Sequence, residues 1–418
     1  MTTNYRRNVP KGEIAMPPAS PYTRHTPKPE MAMPIHRGAV IAKGTIEGFG
    51  SWSLDEQGLL YVQGKGNLPD WEYDEQLKQC NRPWEDVIEK IQSLRIADGV
   101  TGIRENALRG CSSLREVHLP DSLTSIGSWA FYGCSSLTEI RLPDGVTNIG
   151  GRAFWGCSSL REVRLPGKLT GIGYAAFCGC SSLTEIRLPD GLTSIGDWTF
   201  DGCSSLREIH LPDSLTDIGD DAFRGCSSLT EIRLPDSLTS IGVSAFNGCS
   251  SLTEIHLPDS LTSIGHYAFS GCSSLKEIRL PDKLTNIGGY AFQDCSSLTE
   301  VYLPDSLTSI KWDAFSGCSS LTKICLPDNL TSIGEEAFQG CRSLTEIHIP
   351  DSVISIGKRA FQNCSNLREI HIPKSVTELG YDVFNGCTGL QKVTMPARLN
   401  CFFFKWIYGI SKDLVTFI

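Results

Sequence analysis

A 23-residue repeat constrains this chain more than any other feature of its sequence. The segment GCSSLTEIRLPD occupies residues 133–144 and recurs letter for letter at 179–190 and 225–236. It belongs to a looser unit, LPDSLTSIGxxAFxGCSSLTEIR, which is repeated about fourteen times from residue 96 onwards. An active site needs no such multiplication, whereas a unit that buries its apolar side against copies of itself does. The repeat therefore predicts a solenoid.

Each unit has the pattern of a strand, a turn, a short extended stretch and a short helical turn. Ile186 and Leu188 alternate with Glu185 and Arg187, which is the period-2 pattern of a half-buried strand. Pro189 then ends the strand, because proline lacks the backbone donor that a strand ladder needs. The extended stretch LTSIG and the turn DWTFDGC complete the unit. The pattern predicts an α/β repeat.

The cysteines follow the same period. Of 17 cysteines, thirteen recur every 23 residues from Cys111 to Cys387. Disulfide frameworks are rarely so evenly spaced, an odd number cannot pair completely, and the CxxC spacing of zinc sites is absent. We interpret the series as a ladder of small buried side chains. Cys178 and Cys325 lie outside it and are predicted to be exposed, and exposed thiols favour a reducing compartment.

The repeat resembles a known family. The sequence L-x-x-I-x-L followed by LPxxLxxIGxxAFxGC is similar to the 23-residue leucine-rich repeat of the BspA-like type, over residues 96–418. The preceding SWSLDEQGLLYVQGKG, the LPDW after it and Pro83-Trp84 resemble the N-terminal module of many family members. The resemblance implies a leucine-rich-repeat solenoid with caps at both ends.

Four regions are predicted. Residues 1–38 hold seven prolines, with six Lys or Arg and two Glu, and are expected to be a disordered tail. Residues 39–95 are the N-terminal cap module and residues 96–394 the repeats. Residues 395–418 are a degenerate capping repeat, in which Leu399, Phe402 and Ile410 take the Leu, Ile and Cys positions and LVTFI forms a last strand.

Composition disfavours several classes of function. A net charge of −9 argues against a nucleic-acid partner. No apolar run approaches the ~20 residues of a membrane span, and CFFFKWIYGI at 401–410 is too short. GxSxG, HExxH and Walker motifs are absent, so we expect no enzyme and no cofactor. A monomer is expected.

Localisation is predicted in two ways. The N-terminus has no apolar region of the kind found in signal peptides, and no anchor is visible, which predicts a cytoplasmic protein by default. The family resemblance implies instead a protein on the cell surface or secreted.

The outward strand positions are one candidate for a binding face. Glu occupies the position before the buried Ile in eleven of thirteen strands, and Arg or His often follows that Ile. This is either a self-neutralising solvated face or a concave ligand face, whose candidates are Glu185, Arg187, Glu231, Arg233, Glu254 and His256. Tyr302, Cys325, His348 and His371 replace Arg in consecutive units; we interpret them as drift and predict no metal site.

Aromatic residues are the second candidate. The two positions before each Ala-Phe vary most, and seven of them are aromatic: Trp129, Tyr174, Trp198, Tyr267, Tyr290, Trp312 and Tyr381. Such rings dominate protein-binding hot spots, but they can also lie over the neighbouring turn and cover its core. Both interpretations stay open at this point.

These observations favour non-catalytic recognition of a protein ligand of unknown identity. The resemblance implies adhesion, or surface binding of host or neighbouring-cell proteins. The alternative is an intracellular scaffold or regulatory binding protein that uses the same faces.

Overall fold

The computed structural model describes residues 38–400 and 408–418. The tail predicted for residues 1–38 therefore lies outside the described residues except for Gly38, and so does Phe402. The predicted leucine-rich-repeat solenoid is confirmed, with about fourteen turns of stacked parallel strands. None of the helices in the described residues has the length and hydrophobicity that crossing a bilayer requires.

The N-terminal module consists of short strands and one 3-10 helix. The elements are β1 (Val40–Ile46), β2 (Gly50–Asp55), β3 (Leu59–Gly64), β4 (Gly66–Asn67), β5 (Tyr73–Asp74), β6 (Gln79–Cys80) and the 3-10 helix Glu85–Lys90. β1, β2 and β3 pair antiparallel in sequence order, and β3 pairs in parallel with the first strand of the solenoid.

Each unit contributes one strand to a ladder that we call the EIR ladder. Equivalent residues lie opposite each other, for example Ile140 opposite Val163, so the buried side chains stack in register. The strands are β7 (Ser93–Ile96), β9 (Glu116–His118), β11 (Glu139–Arg141), β13 (Glu162–Arg164), β15 (Glu185–Arg187), β17 (Glu208–His210), β19 (Glu231–Arg233), β21 (Glu254–His256), β23 (Glu277–Arg279), β25 (Glu300–Tyr302), β27 (Lys323–Cys325), β29 (Glu346–His348), β31 (Glu369–His371), β33 (Lys392–Met395) and β34 (Val415–Phe417).

The stretch LTSIG forms a second parallel ladder, which we call the SI ladder. Its Ile side chains point into the core, and the Thr before each Ser-Ile is mostly exposed. After β4, the strands are β8 (Val100–Ile103), β10 (Ser125–Ile126), β12 (Asn148–Ile149), β14 (Gly171–Ile172), β16 (Ser194–Ile195), β18 (Asp217–Ile218), β20 (Ser240–Ile241), β22 (Ser263–Ile264), β24 (Asn286–Ile287), β26 (Ser309–Ile310), β28 (Ser332–Ile333), β30 (Ser355–Ile356) and β32 (Glu378–Leu379). Two further 3-10 helices, Ala397–Leu399 and Lys412–Leu414, lie near the C-terminus.

The segment predicted as a short helical turn is not helical. Every second N–H group of the segment donates to the next unit: Trp129 N to Gly151 O (3.0 Å), Phe131 N to Ala153 O (2.8 Å) and Gly133 N to Trp155 O (2.7 Å). N–H groups between them close single turns with the residue three positions back, as from Tyr132 N to Trp129 O. Pairing between units satisfies the same donors that a helix would use within the segment. The result is a third backbone ladder, which closes the solenoid cross-section.

Two side-chain ladders fill the core behind the turn segments. The Phe rings of Phe131 to Phe384 stack nearly parallel, with centroids 5.3–6.2 Å apart. The predicted cysteine ladder is also buried. Its thiols donate to the Phe carbonyl of the preceding unit, as from Cys226 Sγ to Phe200 O at 3.2 Å. Cysteine therefore supplies both a small apolar volume and a weak donor.

The first turn segment has no preceding unit to pair with, and the N-terminal module takes its place. Arg82, which is buried, donates from Nη1 to Ala107 O (3.1 Å) and from Nη2 to Arg109 O (2.6 Å). Trp84 Nε1 also donates to Ala107 O, at 3.2 Å. Trp71 N donates to the third open carbonyl, that of Glu105, at 3.3 Å. Every carbonyl that a preceding unit would have bound is thus satisfied.

Candidate functional site

The outer side of the turn segments forms a continuous surface along the solenoid. We call it the turn edge and define it as the two residues before each Ala-Phe, or its equivalent, and the one residue after it. The second of these positions has a left-handed backbone, with φ between 53° and 60°. The residues that occupy it are Asn106, Trp129, Arg152, Ala175, Trp198, Asp221, Ser244, Tyr267, Tyr290, Asp313, Glu336, Arg359 and Asp382.

The seven predicted aromatic residues all lie on the turn edge, in two rows. Trp129, Trp198, Tyr267 and Tyr290 occupy left-handed positions, where a residue with a Cβ costs roughly 1–2 kcal/mol. Tyr174, Trp312 and Tyr381 occupy the position before, and they are 46–50% exposed. Trp198 and Tyr267 are also exposed, and Trp129 and Tyr290 are half-buried.

Several rings use one face to cover a neighbouring turn. A Cβ at Gly151 would lie 2.7 Å from Tyr174 Cε1, so the Tyr174 ring rests on this glycine. Trp312 rests on Gly289 in the same way and stacks on His266, with ring centroids 5.3 Å apart. These rings therefore cover the neighbouring turn and still present a second face to solvent.

Two other rings of the turn edge stack on each other. Tyr267 and Tyr290 lie parallel, with centroids 4.5 Å apart. Tyr290 also interacts with the buried carboxyl group of Asp313. Burial, with Glu336 close by, raises the pKa of Asp313 to about 6.

The structure adds residues to the turn edge that the sequence analysis missed. Tyr132 and Trp155 occupy the position after Phe, and their rings are 6.1 Å apart. The guanidinium carbon of Arg109 lies 4.6 Å from the Trp129 centroid, and that of Arg152 lies 4.4 Å from it. Counting the third turn-edge position together with the two before Ala-Phe would have found the added rings in the sequence.

The outward side chains of the EIR ladder are exposed, as their alternation predicts. All six candidates are exposed: Glu185, Arg187, Glu231, Arg233, Glu254 and His256. Like residues lie opposite each other, since Glu231 faces Glu254 in the register. Opposite charges pair along single strands, as between Arg164 Nε and Glu162 Oε1 at 2.7 Å. Such exposed pairs contribute little to stability but offset the repulsion between strands.

The four residues that replace Arg lie near the C-terminal end of this face. His348 lies opposite His371 in the register, and both line a groove of about 730 Å³ together with Cys325, Glu346, Glu369 and Lys392. Tyr302 donates to Glu300 at 2.8 Å. Within the part of the chain that the structure describes, no three His, Cys, Asp or Glu side chains are grouped so as to hold a metal ion.

The prediction that Cys178 is exposed was wrong. It is 6% exposed, and its Sγ lies 3.6 Å from Asp201 Oδ2. The side chain packs under the neighbouring turn because it occupies a turn-edge position where a small residue can fold inward. Burial, strengthened by the Asp201 carboxylate, raises the pKa of Cys178 to about 12 and so keeps the thiol protonated. Cys325 is half-buried.

Comparisons with known proteins agree with this architecture. The family model described as "BspA type Leucine rich repeat region (6 copies)" matches residues 87–206, 170–299 and 285–404. A solved leucine-rich repeat protein from Bacteroides ovatus is 30% identical, with 91% of this chain and 98% of that chain covered and a TM-score of 0.64. A leucine rich cell surface protein from Faecalibacterium prausnitzii is 26% identical, with 89% and 96% covered and a TM-score of 0.53. No curated protein matches the chain. The chain belongs to the BspA-type leucine-rich repeat family.

Proposed function

We propose that this protein recognises a partner protein through the turn edge and catalyses no reaction. The observation that carries the proposal is the row of Trp and Tyr side chains at backbone positions that disfavour them. Gly, Asn and Asp tolerate the left-handed conformation best, yet Trp or Tyr occupies four of these thirteen positions. Residues kept at such a cost are commonly functional.

The chemistry of the rings suits protein recognition. Trp and Tyr bury a large area on binding and lose little conformational entropy, so they contribute strongly to protein interfaces. Stacking on a neighbouring turn, as Tyr174 does on Gly151, holds a ring in place before a partner arrives. The EIR ladder offers Glu, Arg and His side chains in repeated rows instead, which fits a solvated face.

We further propose that the partner lies at the cell surface, so that the protein acts in adhesion or surface binding. The Faecalibacterium prausnitzii relative is named as a cell surface protein, which supports this assignment. The alternative, an intracellular scaffold, drew support from two exposed thiols. Cys178 is buried and Cys325 is half-buried, so neither thiol gives that support in full.

A photo-crosslinking experiment tests the recognition face. p-Benzoylphenylalanine is placed at Tyr174 and Tyr267 on the turn edge, at Glu231 on the EIR ladder and at Thr239 on the SI ladder, and each variant is expressed in the native cells. We expect one partner protein to crosslink from both turn-edge positions only. Crosslinks to the same partner from Glu231 alone would mean that the EIR ladder, and not the turn edge, contacts the partner.

Protease shaving of intact native cells, followed by mass spectrometry, tests the location. Peptides of this chain released without lysis support adhesion or surface binding. Complete protection until lysis would favour the intracellular scaffold.

A further inference from the structure

The four arginines of the turn edge are held in two different ways. Arg224 pairs with Asp201 (2.9 Å) and Asp221 (3.0 Å), and Arg359 pairs with Glu336 (3.2 Å). Arg109 and Arg152 form no ion pair with any residue that the structure describes. They are held by aromatic rings instead.

Five rings contact these two guanidinium groups, and three of the rings alternate with the arginines along the solenoid. The Arg109 guanidinium carbon lies 3.5 Å from the Tyr73 centroid and 4.6 Å from that of Trp129. The Arg152 guanidinium carbon lies 4.4 Å from Trp129 and 4.9 Å from Tyr174. The order is therefore Tyr73, Arg109, Trp129, Arg152, Tyr174, and we call this set the arginine–ring stack.

Ring faces stabilise the charge of a guanidinium group but accept no conventional hydrogen bond from its N–H groups. Arg109 Nη1 donates to Asn106 Oδ1 at 3.3 Å. Arg152 has no hydrogen-bond acceptor among the described residues. Its Nε is buried, so only its Nη groups can reach an external acceptor. The rings thus hold each guanidinium group in place, and the Nη groups of Arg152 remain for an external acceptor, which lowers the entropy cost of binding.

Glu72, Asp74 and Glu75 flank Tyr73 in the sequence and are exposed, but the charge of the turn-edge positions themselves favours an acidic ligand. In the first four units, Glu105 is the one carboxylate among the turn-edge positions, beside Arg109 and Arg152. In the next two units the same positions carry Asp197, Asp201, Asp220 and Asp221 with a single arginine, Arg224. An acidic segment would therefore be attracted to the N-terminal part of the turn edge and repelled by the part that follows.

We infer that the arginine–ring stack is the subsite for an acidic segment of the partner protein, with Asp or Glu carboxylates bound edge-on by Arg109 and Arg152. Planar guanidinium groups match carboxylates in two-point geometry, and Tyr174 offers an exposed ring for an adjacent apolar side chain. This inference rests on the proposed function and names the chemistry of the partner. Nucleic acid, another polyanion, needs several clustered Lys or Arg side chains to neutralise its phosphates, whereas the stack offers two arginines.

Fluorescence polarisation with the full chain tests the inference. The probes are fluorescein-labelled hexa-aspartate, hexa-lysine and a single-stranded oligo-thymidine of similar length. We expect hexa-aspartate to bind and the other two to bind more weakly. Arg152→Gln should weaken hexa-aspartate binding roughly tenfold, because one charge-assisted contact is lost. The affinity of Arg152→Lys for hexa-aspartate should lie between those of the wild type and Arg152→Gln, because lysine keeps the positive charge but lacks the planar guanidinium group.

Arg224→Gln is the matched control, because it removes a turn-edge arginine whose donors are already used by Asp201 and Asp221. It should leave hexa-aspartate binding unchanged. An equal loss in Arg152→Gln and Arg224→Gln, no binding of hexa-aspartate, or tighter binding of oligo-thymidine would overturn the inference.

A second measurement needs no variant and holds even if Arg152→Gln folds poorly. A photoreactive aspartate peptide is crosslinked to the wild-type chain and the sites are mapped by mass spectrometry; they should lie in the stack and its neighbours Tyr132 and Trp155. Crosslinks spread along the solenoid would contradict an acidic subsite. A further outcome is that the cellular partner still crosslinks at Tyr267 while hexa-aspartate fails to bind. That result would support the proposed protein recognition and contradict the proposed acidic subsite.

Discussion

The inner and outer sides of the turn segments differ although they share one backbone. On the inner side, the stacked rings from Phe131 to Phe384 and the buried thiols repeat almost unchanged. On the outer side, the same position holds Trp129 in one unit, Arg152 in the next and Ala175 in the third. The inner side chains must fit between two copies of themselves, and so each unit constrains its neighbours.

The outer side is released from that constraint and carries the differences between units. Arginines there are held by rings near the N-terminus and by carboxylates further along the chain, at Arg224 and Arg359. We therefore expect stability to reside on the inner side, and we propose that partner choice resides on the outer side. Four variants test this division.

The largest effect is expected for Cys226→Asp on the inner side. Cys226 is fully buried, burial raises the pKa of its thiol well above the usual range, and Phe200 O is its acceptor. A carboxyl group there lacks a partner and should lower the free energy of unfolding by about 3 kcal/mol or more. Urea unfolding measures the loss. Cys226→Ala should cost about 1 kcal/mol, and Asn247→Asp on the outer side under about 0.5 kcal/mol. A Cys226→Asp variant as stable as wild type would show that the division is false.

Replacing Trp129 and Trp198 together with Ser should separate binding from stability. Trp198 is exposed and bonds through Nε1 to Asp221 Oδ2 at 2.8 Å, and Trp129 lies between two arginines. Removal of two interface rings should weaken partner binding at least tenfold, as judged by crosslinking yield from Tyr267. The melting temperature should change little. A large fall in melting temperature would instead mean that the rings chiefly cover the core.

Ser244→Gly should raise the stability by about 1 kcal/mol, because Ser244 has φ 54° and glycine adopts this backbone without strain. The free energy of urea unfolding checks the gain. Ser250→Gly, at a position without positive φ, is the control and should lower stability slightly. No gain in Ser244→Gly would mean that the left-handed row carries no strain, and the argument from strain to function would fail.

The smallest effect concerns pH. The pKa of Asp313 in the folded protein is about 6, raised above its ordinary value of 3.8 by burial and then by Glu336. The folded state therefore holds this proton more tightly than the unfolded state, and the stabilisation present at low pH is lost as pH rises from about 4 through 6. Asparagine tolerates the same left-handed backbone but carries no titrating proton. Asp313→Asn should therefore lose this pH-dependent contribution to stability. The urea midpoint of the variant should thus rise relative to wild type between pH 4.5 and pH 7. A constant difference across this range would contradict the raised pKa.

Much of the fold could be predicted from single residues of the repeat. The alternation of Ile186 and Leu188 with Glu185 and Arg187 indicates a strand, and that strand is present with the predicted sides buried and exposed. The even spacing of Cys226 and its equivalents predicts a buried ladder, which is confirmed. These predictions depend on local period and on repetition, both of which are visible in one dimension.

The turn segment shows where such prediction failed. DWTFDGC was predicted to be a helical turn, but every second N–H group of the segment bonds to the next unit. No local pattern in the sequence distinguishes a donor used within the segment from one used between units. Cys178 was predicted to be exposed because it lies outside the ladder, whereas the neighbouring turn covers it. Nothing in the sequence indicated that Arg82 is buried and caps the first turn segment, because the carbonyl groups it binds lie 24–27 residues further along the chain.

The sequence alone thus predicts the repeat period and the inward positions of Leu, Ile, Phe and Cys. Each unit has an apolar side that it cannot bury alone, and stacking the units buries it. The partners of the outer residues were decided only by the tertiary structure. Arg109 meets Tyr73 of the N-terminal module and Trp129 of the next unit, whereas Arg224 meets Asp201 of the unit before it. Side chains 20 or more residues apart come into contact only when the units stack, and the contacts formed then depend on which residues two adjacent turns happen to present.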